Sequence, residues 1–130
     1  MSPTMRRADL EGPAVLIVDD NLDLAENLKE VLEDEGVLAC LAANGQEALA
    51  LLEQFEPQMV VTDMRMPGMS GVHLIKQIRT QHPKVPVVLI TAYSQDQQLT
   101  EARALGVIAV LQKPLDLDRL CALVGKLGDS

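Results

Sequence analysis

Aromatic side chains are nearly missing from this chain: its 130 residues hold one Tyr, one Phe and no Trp, so there is no indole fluorescence with which to follow it. Cysteine is scarce too. Two thiols, Cys40 and Cys121, are too few for a secreted disulfide scaffold, and both lie inside apolar segments where small buried thiols are common. Basic residues are in deficit, 11 Lys and Arg against 19 Asp and Glu, and the net charge of -8 argues against direct binding of nucleic acid or of an anionic membrane. No apolar run approaches the ~20 residues of a membrane span, and Met1 to Gly12 contains no apolar core of a signal peptide. These absences point to a soluble cytoplasmic protein.

What is present is a 48% apolar content in a length that suits one domain able to bury a core unaided. Short apolar runs alternate five times with amphipathic segments, the pattern of βα units around a buried parallel sheet. Strands are expected at roughly 14–18, 37–42, 58–62, 86–90 and 107–111. Leu22, Ala25, Leu28 and Leu32 mark the first helix, with Gly36 at its C-terminus; the second, about 45–54, has Asn44 as its N-cap. The third covers about 71–80, the fourth about 95–105 and the fifth about 116–127. Only Leu99, Ala102 and Leu105 face inward from the fourth, so it is expected to be the least firmly anchored. The expected organisation is a leader at 1–12, one domain at 13–127 and a tail at 128–130.

Polar residues with compatible chemistry stand where the strands stop. Asp19 and Asp20 follow the first run, Asp63 the third, Thr91 the fourth, and Lys113-Pro114 the fifth. In open α/β sheets ligands bind outside the carboxyl ends of the strands, so three carboxylates, a hydroxyl and an ammonium would share one pocket. Hard oxygen ligands of this kind suit Mg2+. Taken singly, a strand-end Asp is as readily an N-cap, with Asp20 or Asn21 filling that role. Two carboxylates ~4 Å apart repel by about 4 kcal/mol at an effective dielectric of 20, so one carboxyl in the cluster should have a raised pKa without metal. His73 and His82 are expected to be solvated, and Met64, Met66 and Met69 to pack beneath their loop.

The segment Asp63-Met64-Arg65-Met66-Pro67-Gly68-Met69-Ser70-Gly71 closely resembles the phosphoacceptor loop of response-regulator receiver domains of two-component signalling. Together with Asp19-Asp20, Thr91-Ala92 and Lys113-Pro114 in order, the resemblance covers about residues 13 to 127. It implies a flavodoxin-like, receiver-type α/β fold: a doubly wound five-stranded parallel sheet of order 2-1-3-4-5 with helices on both faces. It further implies that Asp63 accepts a phosphoryl group from a sensor histidine kinase or a small phosphodonor. Mg2+ or Mn2+ would be held by Asp19, Asp20, Asp63 and the main-chain carbonyl of Arg65. Thr91 and Lys113 would contact the phosphoryl oxygens, and the bond before Pro114 would be cis. Such a domain is not an independent enzyme; it catalyses only its own phosphorylation and dephosphorylation. Its output is a changed surface for a downstream protein or an attached output domain. By the same resemblance Arg65 and Tyr93 overhang the pocket and influence the phosphoryl lifetime.

One position departs from the family. Many receivers carry Tyr or Phe three residues before the lysine, where this chain has Val110, so the aromatic route of signalling is in question. The competing readings are a degenerate receiver, which the intact acidic set argues against, and a flavodoxin-like nucleotide or flavin binder. The second would need a Gly-rich phosphate loop after the first strand, where Asp19-Asp20-Asn21 stands instead. An aspartyl phosphatase of the haloacid type would need Asp where Arg65 is found.

Overall fold

The computed structural model describes residues 14–66, 68–92 and 97–128, with side chains to residue 125. The expected leader, the 129–130 end of the tail, Pro67, Tyr93 and the 95–96 start of the fourth helix lie outside the described residues, as does the side chain of Leu127. Five strands form one parallel sheet: β1 Val15–Val18, β2 Ala39–Ala42, β3 Met59–Asp63, β4 Val87–Thr91 and β5 Ala109–Gln112. Their order is β2-β1-β3-β4-β5, as the resemblance implied. The helices are α1 Leu22–Asp34, α2 Gly45–Leu52, α3 Gly71–Gln81, α4 Gln98–Ala104 and α5 Leu117–Gly128.

Alternation along each strand sends successive side chains to opposite faces. Leu16, Val18, Val60 and Leu89 pack with Ala48 and Leu52 of α2, Leu74 and Ile78 of α3, and Leu99 and Ala102 of α4. Val15, Ile17, Val61, Val88 and Ile90 meet Ala25, Leu28 and Leu32 of α1 and Leu120 and Val124 of α5. Central strands buried on both faces explain the unbroken apolar runs.

The strand boundaries shift by one or two residues from expectation. Val37-Leu38 and Val107-Ile108 precede their strands, and Leu38 and Ile108 are about half exposed, because the ladders start only at Val15–Ala39 and Val88–Ala109. Asp63 and Thr91 are the last residues of β3 and β4 rather than the first loop residues. Leu22, expected on the buried stripe of α1, is 51% exposed; it is the first residue of the helix.

Caps account for the helix starts. The side-chain oxygen of Asn21 accepts from Leu24 N–H at 3.2 Å, that of Asn44 from Glu47 N–H at 2.8 Å, and Ser70 Oγ from His73 N–H at 3.1 Å. Gly36 ends α1 with φ +85°, a conformation that glycine adopts without a Cβ penalty.

Among the described residues the fourth helix is the shortest, seven residues with no side-chain N-cap, but it has an anchor that its own sequence does not show. Lys76 of α3 pairs with Glu101 at 2.6 Å. Arg79 of α3 donates from Nε to the Leu105 carbonyl at 2.7 Å, from Nη2 to that of Gly106 at 3.3 Å and from Nη1 to that of Val85 at 2.7 Å. Burial holds the guanidinium below its ordinary pKa. His82 is also a correction: it is not simply solvated, since Nδ1 lies 2.8 Å from Glu56 Oε1 and Nε2 lies 3.1 Å from the Leu52 carbonyl, tying the end of α3 to α2.

Candidate functional site

Register brings the strand ends level. Val18 pairs with Thr62, Asp63 with Ile90 and Thr91 with Gln112, so Asp19, Asp63, Thr91 and Lys113 emerge side by side at the carboxyl edge of the sheet. Main-chain bonds continue the ladders past the strands: Asp19 N–H to Ala42 C=O at 3.0 Å, Met64 N–H to Ile90 C=O at 2.9 Å and Lys113 N–H to Thr91 C=O at 2.8 Å.

The three carboxylates converge. One oxygen from each of Asp19, Asp20 and Asp63 lies within 4.8 Å of the others. Asp19 and Asp63 are buried and Asp20 is exposed. Adjacent Asp residues therefore divide their environment, Asp19 turned into the protein and Asp20 toward solvent. Asn21 takes the capping role, which leaves Asp20 free of it. Asp19 Oδ1 accepts instead from Asn21 N–H at 2.9 Å.

Burial pushes the Asp19 carboxyl above the usual carboxylate range. The Asn21 N–H opposes this, the charge on Asp63 adds to it, Lys113 opposes it and Asp20 adds a smaller push. The raised carboxyl expected of the cluster is thus Asp19. Lys113 supplies the compensating charge, its Nζ 3.3 Å from Asp63 Oδ2. The Lys113–Pro114 bond is cis, as the resemblance implied.

Thr91 is 1% exposed and its hydroxyl donates to Met64 Sδ at 3.6 Å. Met64 is fully buried and Met66 and Met69 are partly so, in keeping with methionines packed beneath the loop. Arg65 is exposed, whereas Tyr93, its expected companion over the pocket, lies outside the described residues. His73 is exposed. Val110 is partly buried on the α3 and α4 side of the sheet, with no ring to place beside Thr91.

Gly71 was legible only as the last letter of the loop pattern. Its N–H donates to Met64 C=O at 2.7 Å, and a Cβ there would overlap the Asp63 carbonyl oxygen and lie 2.9 Å from Met64 Cα. The residue is glycine because α3 starts against the backbone that carries Asp63.

The arrangement offers hard oxygen donors beside a cation and a hydroxyl, the chemistry of a metal-bound phosphoryl group. The family model for the response regulator receiver domain matches residues 15–125, and the chain belongs to that family. It is 46% identical over 108 residues to a response regulator receiver protein of Anaeromyxobacter sp., covering 83% of this chain and 45% of that protein. It is 34% identical to sporulation initiation phosphotransferase F of Bacillus subtilis, covering 86% of this chain and 90% of that one. The DNA-binding transcriptional regulator NtrC of Salmonella typhimurium is 38% identical, but the chain spans only 24% of its length. Among solved structures, a response regulator receiver protein from Pseudomonas putida superposes with a TM-score of 0.84 at 33% identity, covering 88% of this chain and 96% of that one. No helix among the described residues is long and apolar enough to cross a membrane.

Proposed function

We propose that residues 13–127 form a phosphorylation switch in which Asp63 accepts a phosphoryl group from the phosphohistidine of a sensor histidine kinase or from acetyl phosphate. A carboxylate oxygen of Asp63 bonds to phosphorus while the bond to the donor's imidazole nitrogen, or to the acetate oxygen, breaks and its electron pair leaves with the donor. The observation that carries this reading is the convergence of Asp19, Asp20 and Asp63 within 4.8 Å beside Lys113.

Three carboxylates this close, one of them pushed toward its protonated form by burial, suit a divalent cation. Asp19, Asp20, Asp63 and the Arg65 main-chain carbonyl would hold Mg2+ or Mn2+. When bound, that ion neutralises charge on the transferring group. Lys113 leaves Asp63 Oδ2 for a phosphoryl oxygen, and the Thr91 hydroxyl donates to another; both stabilise charge without proton transfer. Asp19 and Asp20 keep the pocket too negative for a free anion, so phosphate enters only with its metal. Water later hydrolyses the acyl phosphate, and the side chains of Arg65 and Tyr93 govern how fast.

The output is a protein surface, in a downstream partner or in an output domain attached to the full protein. That NtrC is named a transcriptional regulator and carries a length of chain well beyond this one supports the second form. The test is intact mass after incubation with Mg2+ and acetyl phosphate. One phosphoryl group should be gained by the wild type and none by Asp63→Asn; no gain, or a gain that survives the substitution, contradicts the proposal.

A further inference from the structure

Helix α3 begins on the acceptor loop and ends on the fourth helix. At its start Gly71 N–H donates to Met64 C=O at 2.7 Å, and a Cβ on Gly71 would overlap the Asp63 carbonyl oxygen. From there Val72, Leu74, Ile75 and Ile78 lie buried against the sheet. Roughly 12 Å along the axis, at 1.5 Å per residue, Arg79 spreads its half-buried guanidinium over three carbonyls. Val85, at 2.7 Å, leads into β4; Leu105 and Gly106, at 2.7 and 3.3 Å, form the turn between α4 and β5.

We propose that α3 carries phosphorylation of Asp63 to α4, with Arg79 as the joint between the two helices. This rests on the reading of Asp63 as acceptor and supplies that site with a route of output. A phosphoryl group on Asp63 displaces the backbone of Asp63 and Met64, and Gly71 leaves no space to absorb the displacement. Close-packed interiors transmit such strain, and a packed helix answers it by a small slide. At the far end the receiving element is lightly built: α4 has seven residues, no side-chain N-cap and two buried side chains, Leu99 and Ala102. A charged fork bonded to several carbonyls at once moves them together. Lys76 and Glu101 also join the two helices, at 2.6 Å, but both are about half exposed and solvent screens the pair. Val110 has no ring with which to report to this region, whereas the Arg79 route needs none.

The test is hydrogen exchange of residues 98–107 with and without beryllofluoride and Mg2+, which stand in for the phosphoryl group, in wild type, Arg79→Leu, Arg79→Lys and Lys76→Ala. In wild type the addition should change exchange there by about two- to thirtyfold, the range over which coupling residues act. Arg79→Leu should exchange faster at rest and no longer respond, while amides 63–65 still do. A residue that merely held α4 in place would alter the resting rate and leave the response intact. Arg79→Lys keeps the charge and a donor but not the fork, so it should respond less than wild type; Lys76→Ala should respond fully. A response at 98–107 undiminished in both Arg79 variants, or absent from a wild type whose 63–65 amides move, overturns the inference while leaving Asp63 as acceptor. A wild type whose 63–65 amides ignore the addition overturns the acceptor reading itself.

A measurement independent of any variant follows the side chain directly. The Arg79 Nε–H resonance of 15N-labelled wild type should move on adding beryllofluoride with Mg2+. A resonance that stays while the amides of 63–65 move contradicts the joint.

Discussion

Lys113 Nζ lies 3.3 Å from Asp63 Oδ2, two residues fifty positions apart in sequence that meet because β3 and β5 flank β4 in one parallel sheet. This ion pair and the Asp19 carboxyl are the two ends of one electrostatic balance. The cation offsets Asp63, while Asp19 bears the cost of burial and of its neighbours' charge.

Asp19→Asn should therefore stabilise the metal-free domain at neutral pH. A carboxyl whose pKa is raised by folding binds more protons in the folded state. Its effect on stability becomes less favourable as pH rises from the unfolded value, 3.8, through the folded one. Removing the charge removes that loss and raises the melting temperature by roughly 2–6 °C, the shift that about 1 kcal/mol produces in a domain of this size. Calorimetry without metal across pH 4 to 8 checks it: the gain should shrink at low pH.

On the proposal that Asp19 is a ligand, Mg2+ should reverse this preference. Titration followed by amide shifts should move residues 19–21 and 63–65 first. Loss of one carboxylate in Asp20→Asn removes on the order of 1–4 kcal/mol of attraction, so affinity should fall about tenfold or more. Equal affinity in the variant would place the ion elsewhere.

Gly71→Ala should cost about 1–3 kcal/mol, the range for forcing an extra methyl into packed structure. The added Cβ meets the Asp63 carbonyl and Met64 Cα, which belong to backbone and cannot rotate away. Denaturant unfolding measures the loss, and phosphoryl acceptance should fall with it because Asp63 must shift.

Arg79→Leu should loosen α4 and the turn after it. Three carbonyls, of Val85, Leu105 and Gly106, lose their donor, at a cost of about 1–3 kcal/mol. Hydrogen exchange should quicken at 98–107 more than in β1 or β3. Lys76→Ala, which breaks only an exposed pair, should do far less.

The site was legible because it depends on period and order. An apolar run that stops at Asp or Thr, repeated at intervals of a βα unit, puts those side chains at one sheet edge whatever the helices do. The resemblance in the loop after Asp63 then implied roles for them. Contacts from the polar faces of helices were not legible: Arg79 reaches carbonyls up to 27 residues away, and His82 reaches Leu52, 30 residues back. A main-chain carbonyl leaves no mark in sequence, so the fourth helix read as weakly held while its anchor stood on the third. Leu22 misled for the opposite reason, an apolar residue in step with the buried stripe but exposed at the first position of the helix.

The central claim is that Asp63 is the carboxylate that takes the phosphoryl group and that the metal cluster makes it do so. Borohydride reduces an aspartyl phosphate to homoserine and leaves free carboxylates intact. After incubation with acetyl phosphate, reduction and peptide mapping should find homoserine at position 63 in the presence of Mg2+ and none when the ion is chelated. Homoserine at Asp19 or Asp20, or at position 63 regardless of metal, would contradict the account.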